Sequence, residues 1–223
     1  MPERSFPDRY NASGSYKLAS KPVAGFLVSS GMDPLRAYFH AISPLSEAAW
    51  AAVEPLFQTR TLAAGAYFAE QGRSAQEIGF LESGCVRAFF TNAEGKEYNK
   101  QFFVGPALIG AYTSLLTGNA NLIPQQCLTE CQVRVADFTS LQSLFDQFHD
   151  LERLARKIAE FYFLEKEAKE LEMALEDATQ RYLRFRTQFP TLENTIPQYH
   201  IASYLGISAT QLSRIRSQLS KGS

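Results

Sequence analysis

The sequence predicts an α+β chain in three parts: an N-terminal jelly roll (a double-stranded β-helix), a long helix, and a C-terminal helix-turn-helix. Three observations predict it. Short alternating runs punctuated by Gly, Asn and Pro fill residues 59–137. An apolar stripe stepping by three and four runs from Leu151 to Leu175. The stretch PQYHIASYLGISATQLSRIRSQL, from Pro197 to Leu219, reads as two short helices about a tight turn. The expected divisions are an extension over 1–31, a β-roll unit over 32–145, a central helix over 146–176 and the helix-turn-helix unit over 177–223.

Composition sets the bounds. With 223 residues, 45% of them hydrophobic, the chain can bury a substantial core. No run approaches the ~20 apolar residues needed to span a bilayer, and the opening lacks a basic start followed by an apolar stretch, so a cytoplasmic protein with no membrane partner is expected. Cys85, Cys127 and Cys131 are odd in number and share one strand-rich region, which argues against a secreted disulfide framework. They read as buried structural thiols, with a redox pair of Cys127 and Cys131 as the alternative.

Residues 1–31 mix Ser, Gly, Pro and Lys without a sustained period and read as a disordered or appended extension. From Asp33 to Phe57, Leu35, Tyr38, Phe39, Ile42, Trp50, Val53 and Phe57 recur at helical spacing, with Ser46 placed to cap the second of two short helices. These helices predict a lid on a sheet, with Trp50 in the core. In the strand region, Asn92-Ala93-Glu94-Gly95 reads as a hairpin turn, and Gly65, Gly72, Gly84 and Gly110 as corners.

The stripe of the long helix consists of Leu151, Leu154, Ile158, Phe161, Leu164, Ala168, Leu171 and Leu175. It exceeds what a small roll can cover, which predicts a dimer seam; packing on the chain's own roll is the alternative. A further helix is expected from Thr179 to Gln188.

In the terminal unit, Ile201, Leu205, Leu212 and Ile215 face inward, Gly206 supplies the turn, and Ser208 with Gln211 forms a capping signature. That leaves Ala209, Thr210, Ser213, Arg214 and Ser217 outward. Small hydroxyl groups around one arginine suit a DNA major groove, where the guanidinium can contact guanine in two places. The candidate DNA contacts are Ser208, Thr210, Gln211, Ser213, Arg214 and Ser217. From Thr179 onward six basic side chains oppose Glu193 alone, a net charge of +5, which predicts attraction for phosphate.

The motifs LAAGAYFAEQG, FLESGCVRAFFTNAEGKE and CLTECQVRVAD, followed by the helix-turn-helix, resemble in order the CRP/FNR family of bacterial transcription regulators over residues 33–219. The resemblance implies an N-terminal effector domain, a dimerising central helix and a C-terminal DNA reader. It also implies a homodimer on an inverted-repeat operator of double-stranded DNA, with RNA polymerase as a further partner. A two-fold dimer would place two recognition helices roughly 34 Å apart, one turn of B-DNA.

Two departures narrow the effector. The family's cyclic-nucleotide cassette places a glutamate after a glycine and an Arg-Ser or Arg-Thr pair later; here Gly110 is followed by Ala111, and the pair falls near Asn121 and Leu122. Without a guanidinium the cyclic phosphate loses a charge-assisted contact, so tight cAMP binding is not expected. The cysteines are too few for the iron-sulfur cluster of oxygen-sensing relatives, and no cofactor is predicted. A pocket at Phe103, Ile109, Gly110 and Tyr112 is expected to take an unidentified effector or to be filled by its own side chains. The sequence stops just after Leu219, so no strands forming a wing are expected. Of the arginines and glutamate that cAMP receptor protein presents from its recognition helix, the later arginine alone has a counterpart, Arg214.

Two other readings compete. One is a ligand-binding signalling or interaction module that has lost DNA affinity. The other is a cupin-like metal enzyme, which would need clustered His and carboxylate ligands on strands. His40, His149 and His200 fall in helical or linker segments, and no catalytic constellation appears, so no enzyme is predicted.

Overall fold

A computed structural model describes residues 31–221. The extension expected over 1–31 lies, apart from Gly31, outside them. Two short helices open the described chain, α1 (Pro34–Ile42) and α2 (Glu47–Val53). Each starts where a side-chain oxygen caps it: Asp33 accepts from the Arg36 amide at 3.1 Å and Ser46 from the Ala49 amide at 3.2 Å.

Eight strands follow: β1 (Gln58–Leu62), β2 (Tyr67–Ala69), β3 (Glu77–Ser83), β4 (Cys85–Thr91), β5 (Glu97–Val104), β6 (Ala107–Ile109), β7 (Gln125–Cys127) and β8 (Cys131–Asp137). They form two four-stranded sheets, ordered β1-β8-β3-β6 and β2-β7-β4-β5, with every pair antiparallel. The hairpin expected at Asn92 joins β4 to β5, and the Asn92 Oδ1 accepts from the amides of Glu94 and Lys96. Gly84, at the β3–β4 corner, has φ of +99°, and a Cβ there would stand 2.5 Å from the Glu130 carbonyl oxygen. The short strand β6 and a helix after it, α3 (Tyr112–Thr117), were not apparent in the sequence pattern.

The facing sheets enclose Leu81, Val86, Ile109, Cys127, Cys131, Val133 and Val135. Strand alternation sends the intervening residues outward, and both outer faces are covered. On the first sheet, Phe80 and Leu108 pack under the lid formed by Leu35, Tyr38, Phe39, Trp50 and Val53. After a short α4 (Phe138–Gln142), the long helix α5 (His149–Leu175) enters that same cluster through Leu151 and Leu154, which are 2% and 1% exposed.

This burial corrects the expected seam. Leu151 and Leu154 are held within their own chain, and Ile158 packs against the same cluster. The stripe then divides. Phe161, Leu164, Ala168, Leu171 and Leu175 continue at spacings of three and four, with Leu164, Leu171 and Leu175 exposed. A second face, carrying Tyr162, Lys169, Glu172 and Met173, turns toward other parts of this chain: Tyr162 donates to the Leu108 carbonyl at 3.0 Å, and Lys169 lies 3.8 Å over the Tyr204 ring.

The outer face of the second sheet is covered by the terminal unit: α6 (Ala178–Gln188), α7 (Gln198–Tyr204) and α8 (Ala209–Lys221). Phe102 of β5 is 1% exposed and meets Phe185, Phe189 and Tyr204 at ring distances of 6.3, 6.0 and 5.1 Å. Cys85 of β4 belongs to the same cluster, together with Ile201, Leu205, Leu212 and Ile215. One core therefore joins roll and terminal unit. Phe102→Ala should cost ~3–5 kcal/mol of stability through the cavity it leaves, read as a reduced urea midpoint with an unchanged slope.

Candidate nucleic-acid interface

The turn between α7 and α8 forms as its residues require. Gly206 takes φ of +68°, the Ile207 amide donates to the Ala202 carbonyl at 3.0 Å, and the Gln211 amide donates to Ser208 Oγ at 3.1 Å. Leu212 and Ile215 are buried at 1% and 6%. Ser208, Thr210, Gln211, Ser213, Arg214 and Ser217 are all exposed, Ser208 at the cap and the other five on α8. The Ser208 hydroxyl serves as the helix cap, which leaves its proton free to donate.

The positive charge of this region is largely committed. Glu193, 15% exposed at its side chain, faces Arg216 Nε at 3.1 Å and Arg186 Nε at 3.5 Å, and accepts from the Tyr182 hydroxyl. Burial, and then that carboxylate, push the Tyr182 hydroxyl up to about 12. Arg184 pairs with Glu176, its Nε 3.1 Å from Oε2, and Arg181 Nε donates to the Leu205 carbonyl at 3.1 Å. Arg214 and Lys221 are exposed and enter none of these pairs. The sequence count of +5 thus overstates the free positive charge.

A cavity of about 1300 Å³ runs between the roll and α5, and the four predicted pocket residues, Phe103, Ile109, Gly110 and Tyr112, all line it. It extends to Arg184 and Tyr204 of the terminal unit. Where the cyclic-nucleotide cassette would present its arginine, Asn121 is 6% exposed, and its side chain ties the loop to backbone groups of Glu70 and Ile123. Leu122, in the neighbouring position, is 73% exposed. Arg184 is the arginine among the lining residues, and Glu176 holds it.

Cys85, Cys127 and Cys131 are buried and unbridged. Contact with the Cys131 thiol, and then burial, push the Cys127 thiol up. His40 and His149 are exposed on helices; His200, in α7, is 5% exposed. Among the described residues no three His, Cys, Asp or Glu side chains converge as metal ligands, and no helix is long and apolar enough to cross a membrane.

Sequence reasoning did not single out a buried polar cluster that joins β4, β5 and α7. Arg87, Asn99 and His200 are 5%, 6% and 5% exposed. The signal was present in β4, where Arg87 interrupts an otherwise apolar run, Cys-Val-Arg-Ala-Phe-Phe.

Glu193→Ala would strip a buried tyrosine hydroxyl and two arginines of their shared partner. It should destabilise the terminal unit by ~1–3 kcal/mol, measured by urea denaturation, whereas Glu193→Gln should recover part of the loss.

No family model and no curated protein matches the sequence. Solved structures do match. FixK2 from Bradyrhizobium japonicum is 17% identical with a TM-score of 0.66, over 74% of this chain and 85% of that one. The c-di-GMP-responsive global regulator CLP of Xanthomonas campestris is 16% identical with a TM-score of 0.62, over 79% and 93%. A protein from Eubacterium rectale described as a transcriptional regulator of the CRP/FNR family is 11% identical with a TM-score of 0.63, over 80% and 85%. Roll, long helix and terminal helix-turn-helix thus follow one another as in these structures, and the fold of this chain is that of the CRP/FNR transcription regulators.

Proposed function

We propose that this chain is a dimeric DNA-binding transcription regulator whose α8 reads a major groove and whose roll, lacking the standard cAMP-binding residues, receives an effector other than cAMP. The observation that carries the reading is the exposed surface of α8 and its cap: five polar side chains, all exposed, with an unpaired Arg214 among them, on a helix fixed to the core by Leu212 and Ile215. Phe161, Leu164, Ala168, Leu171 and Leu175 supply the dimer seam, since their spacing is that of a coiled coil and most of this strip is left uncovered by the chain.

The effector reading rests on the cavity. Its roll-side walls combine apolar residues such as Phe103, Leu108 and Ile109 with polar ones such as Lys100, Gln101 and Gln125, and Asn121 is spent on loop hydrogen bonds instead of facing a phosphate. Among proteins of like fold, CprK has been solved complexed with OCPA and CLP is described as c-di-GMP responsive, which supports the presence of an effector.

Selection of bound oligonucleotides from a random pool should recover an inverted repeat with half-sites one helical turn apart; recovery of no such motif would favour an interaction module. Arg214→Ala should weaken binding to the recovered site by ~1–3 kcal/mol and relax preference at one base of each half-site, by fluorescence anisotropy at fixed salt. Isothermal titration with cAMP should show no micromolar binding, and heat release at that affinity would overturn the effector reading.

A further inference from the structure

The terminal unit does not only rest on the roll through Phe102; it is also pinned by a buried polar cluster of defined protonation. The Asn99 amide nitrogen Nδ2 lies 2.9 Å from the His200 carbonyl oxygen, which can only accept, so this nitrogen is a donor and its orientation is fixed. The same Nδ2 stands 3.2 Å from His200 Nδ1, and the Arg87 guanidinium stands 3.4 Å from it. Two donors converge on one ring nitrogen. Nδ1 must present its lone pair, and the imidazole is neutral with its proton on Nε2.

Around this core, Arg87 is held by Glu97 at 2.5 Å and by Gln126 at 2.7 and 3.0 Å, and its guanidinium lies 3.8 Å over the Phe89 ring. The Asn99 amide N–H donates to Ser203 Oγ at 2.9 Å, and Ser203 Oγ lies 3.1 Å from the Glu97 carbonyl oxygen. Every one of these contacts is made between the roll and α7, or supports one that is. The charged and titratable groups facing His200 are Arg87 from β4, Glu97 from β5 and Tyr199, whose ring lies 4.1 Å away on α7.

We propose that Arg87, Asn99 and His200 form a lock that fixes the DNA-reading unit to the roll of its own chain, and that protonation of His200 opens it. A proton on Nδ1 would set an N–H against two donors, one of them a guanidinium, on a side chain that is 5% exposed. Burial, and then Arg87, lower the His200 pKa to about 4 from 6.5, against the smaller opposing pull of Glu97. The sign follows from linkage. The released unit binds the proton below pH 6.5 and the docked unit not until about pH 4, so docking is intact above 6.5 and weakens as pH falls from 6.5 toward 4. The consequence for DNA rests on the reading of α8 given above, since a released unit no longer holds the spacing between two recognition helices; the lock itself does not depend on that reading.

The test needs no DNA. In the full, 15N-labelled chain, the exchange protection of the Asn99 amide, normalised for intrinsic rate, should fall roughly 20-fold between pH 7 and pH 5. The Val133 amide, in the central strand β8, serves as the reference that should not follow it. In His200→Gln, whose side-chain oxygen can still accept from both donors, the pH dependence should vanish. Constant Asn99 protection in the wild type, or the same fall in His200→Gln, would overturn the lock. Should His200→Gln not dock at pH 7, the wild-type imidazole decides: its 15N shifts should report the Nε2–H tautomer and titration well below 6.5, and an Nδ1–H tautomer or an ordinary pKa would refute the proposal.

Discussion

Everything in this chain turns on the outer face of β4 and β5. Alternation on those strands sends Val86, Ala88 and Phe103 into the roll and leaves Cys85, Arg87 and Phe102 on the other side. A phenylalanine on an open sheet face would be costly in water, and a guanidinium buried there must be paired. Covered by α6 and α7, they become the centre of a shared core and of a buried polar cluster. The aromatic packing supplies most of the attraction, because it removes large rings from water. The polar cluster adds little net attraction, yet it accepts one docking geometry, since any displacement leaves buried donors without acceptors.

The long helix is shaped by the same demand. A single amphipathic stripe cannot pack on the roll and on the terminal unit along its whole length, and α5 changes the surfaces it meets from one end to the other. Its first two turns are consumed by the lid cluster. Beyond Ile158 one side, through Tyr162, Lys169 and Met173, follows the chain's own surfaces. Burial lowers the Lys169 ammonium pKa against the pull of Glu172, a sign of how closely the reader sits on the helix. The other side keeps the coiled-coil spacing from Phe161 to Leu175. Any shift of α5 against the roll is thereby felt by the terminal unit.

Much of this was legible in the sequence. The two capped lid helices, the strand region with its glycine corners, the long helix and the turn at Gly206 follow from local periodicity and capping, which read out over a few residues. Three features did not. Strand β6 and helix α3 are too short to establish a period. The division of the α5 stripe depends on which surfaces meet it, and Leu151 looks the same in sequence whether it packs on a roll or on a partner. The polar cluster joins residues about a hundred positions apart, and neither Arg87 nor His200 has a local pattern that points to the other. An arginine in a run otherwise buried on both faces was the available clue, and it signals a partner without naming it.

The electrostatics of the reader make its rigid placement matter more. A net charge of +5 suggested a surface held to DNA by counterion release, but Arg184, Arg186 and Arg216 are engaged by Glu176 and Glu193, and Arg181 by backbone carbonyls. What remains exposed on α8 outside these pairs is Arg214, among hydroxyl and amide groups, and Lys221 at its end. Fewer free cations mean fewer counterions released and weaker non-specific attraction per subunit. A single reader of this kind gains little from a random phosphate backbone. In the proposed dimer, affinity would come from two readers meeting two half-sites together, and that gain would exist only if their separation were set before the DNA arrives. A short joint between α5 and α6 would not set it alone; a terminal unit fastened to its own roll, on a helix shared with the proposed partner, would.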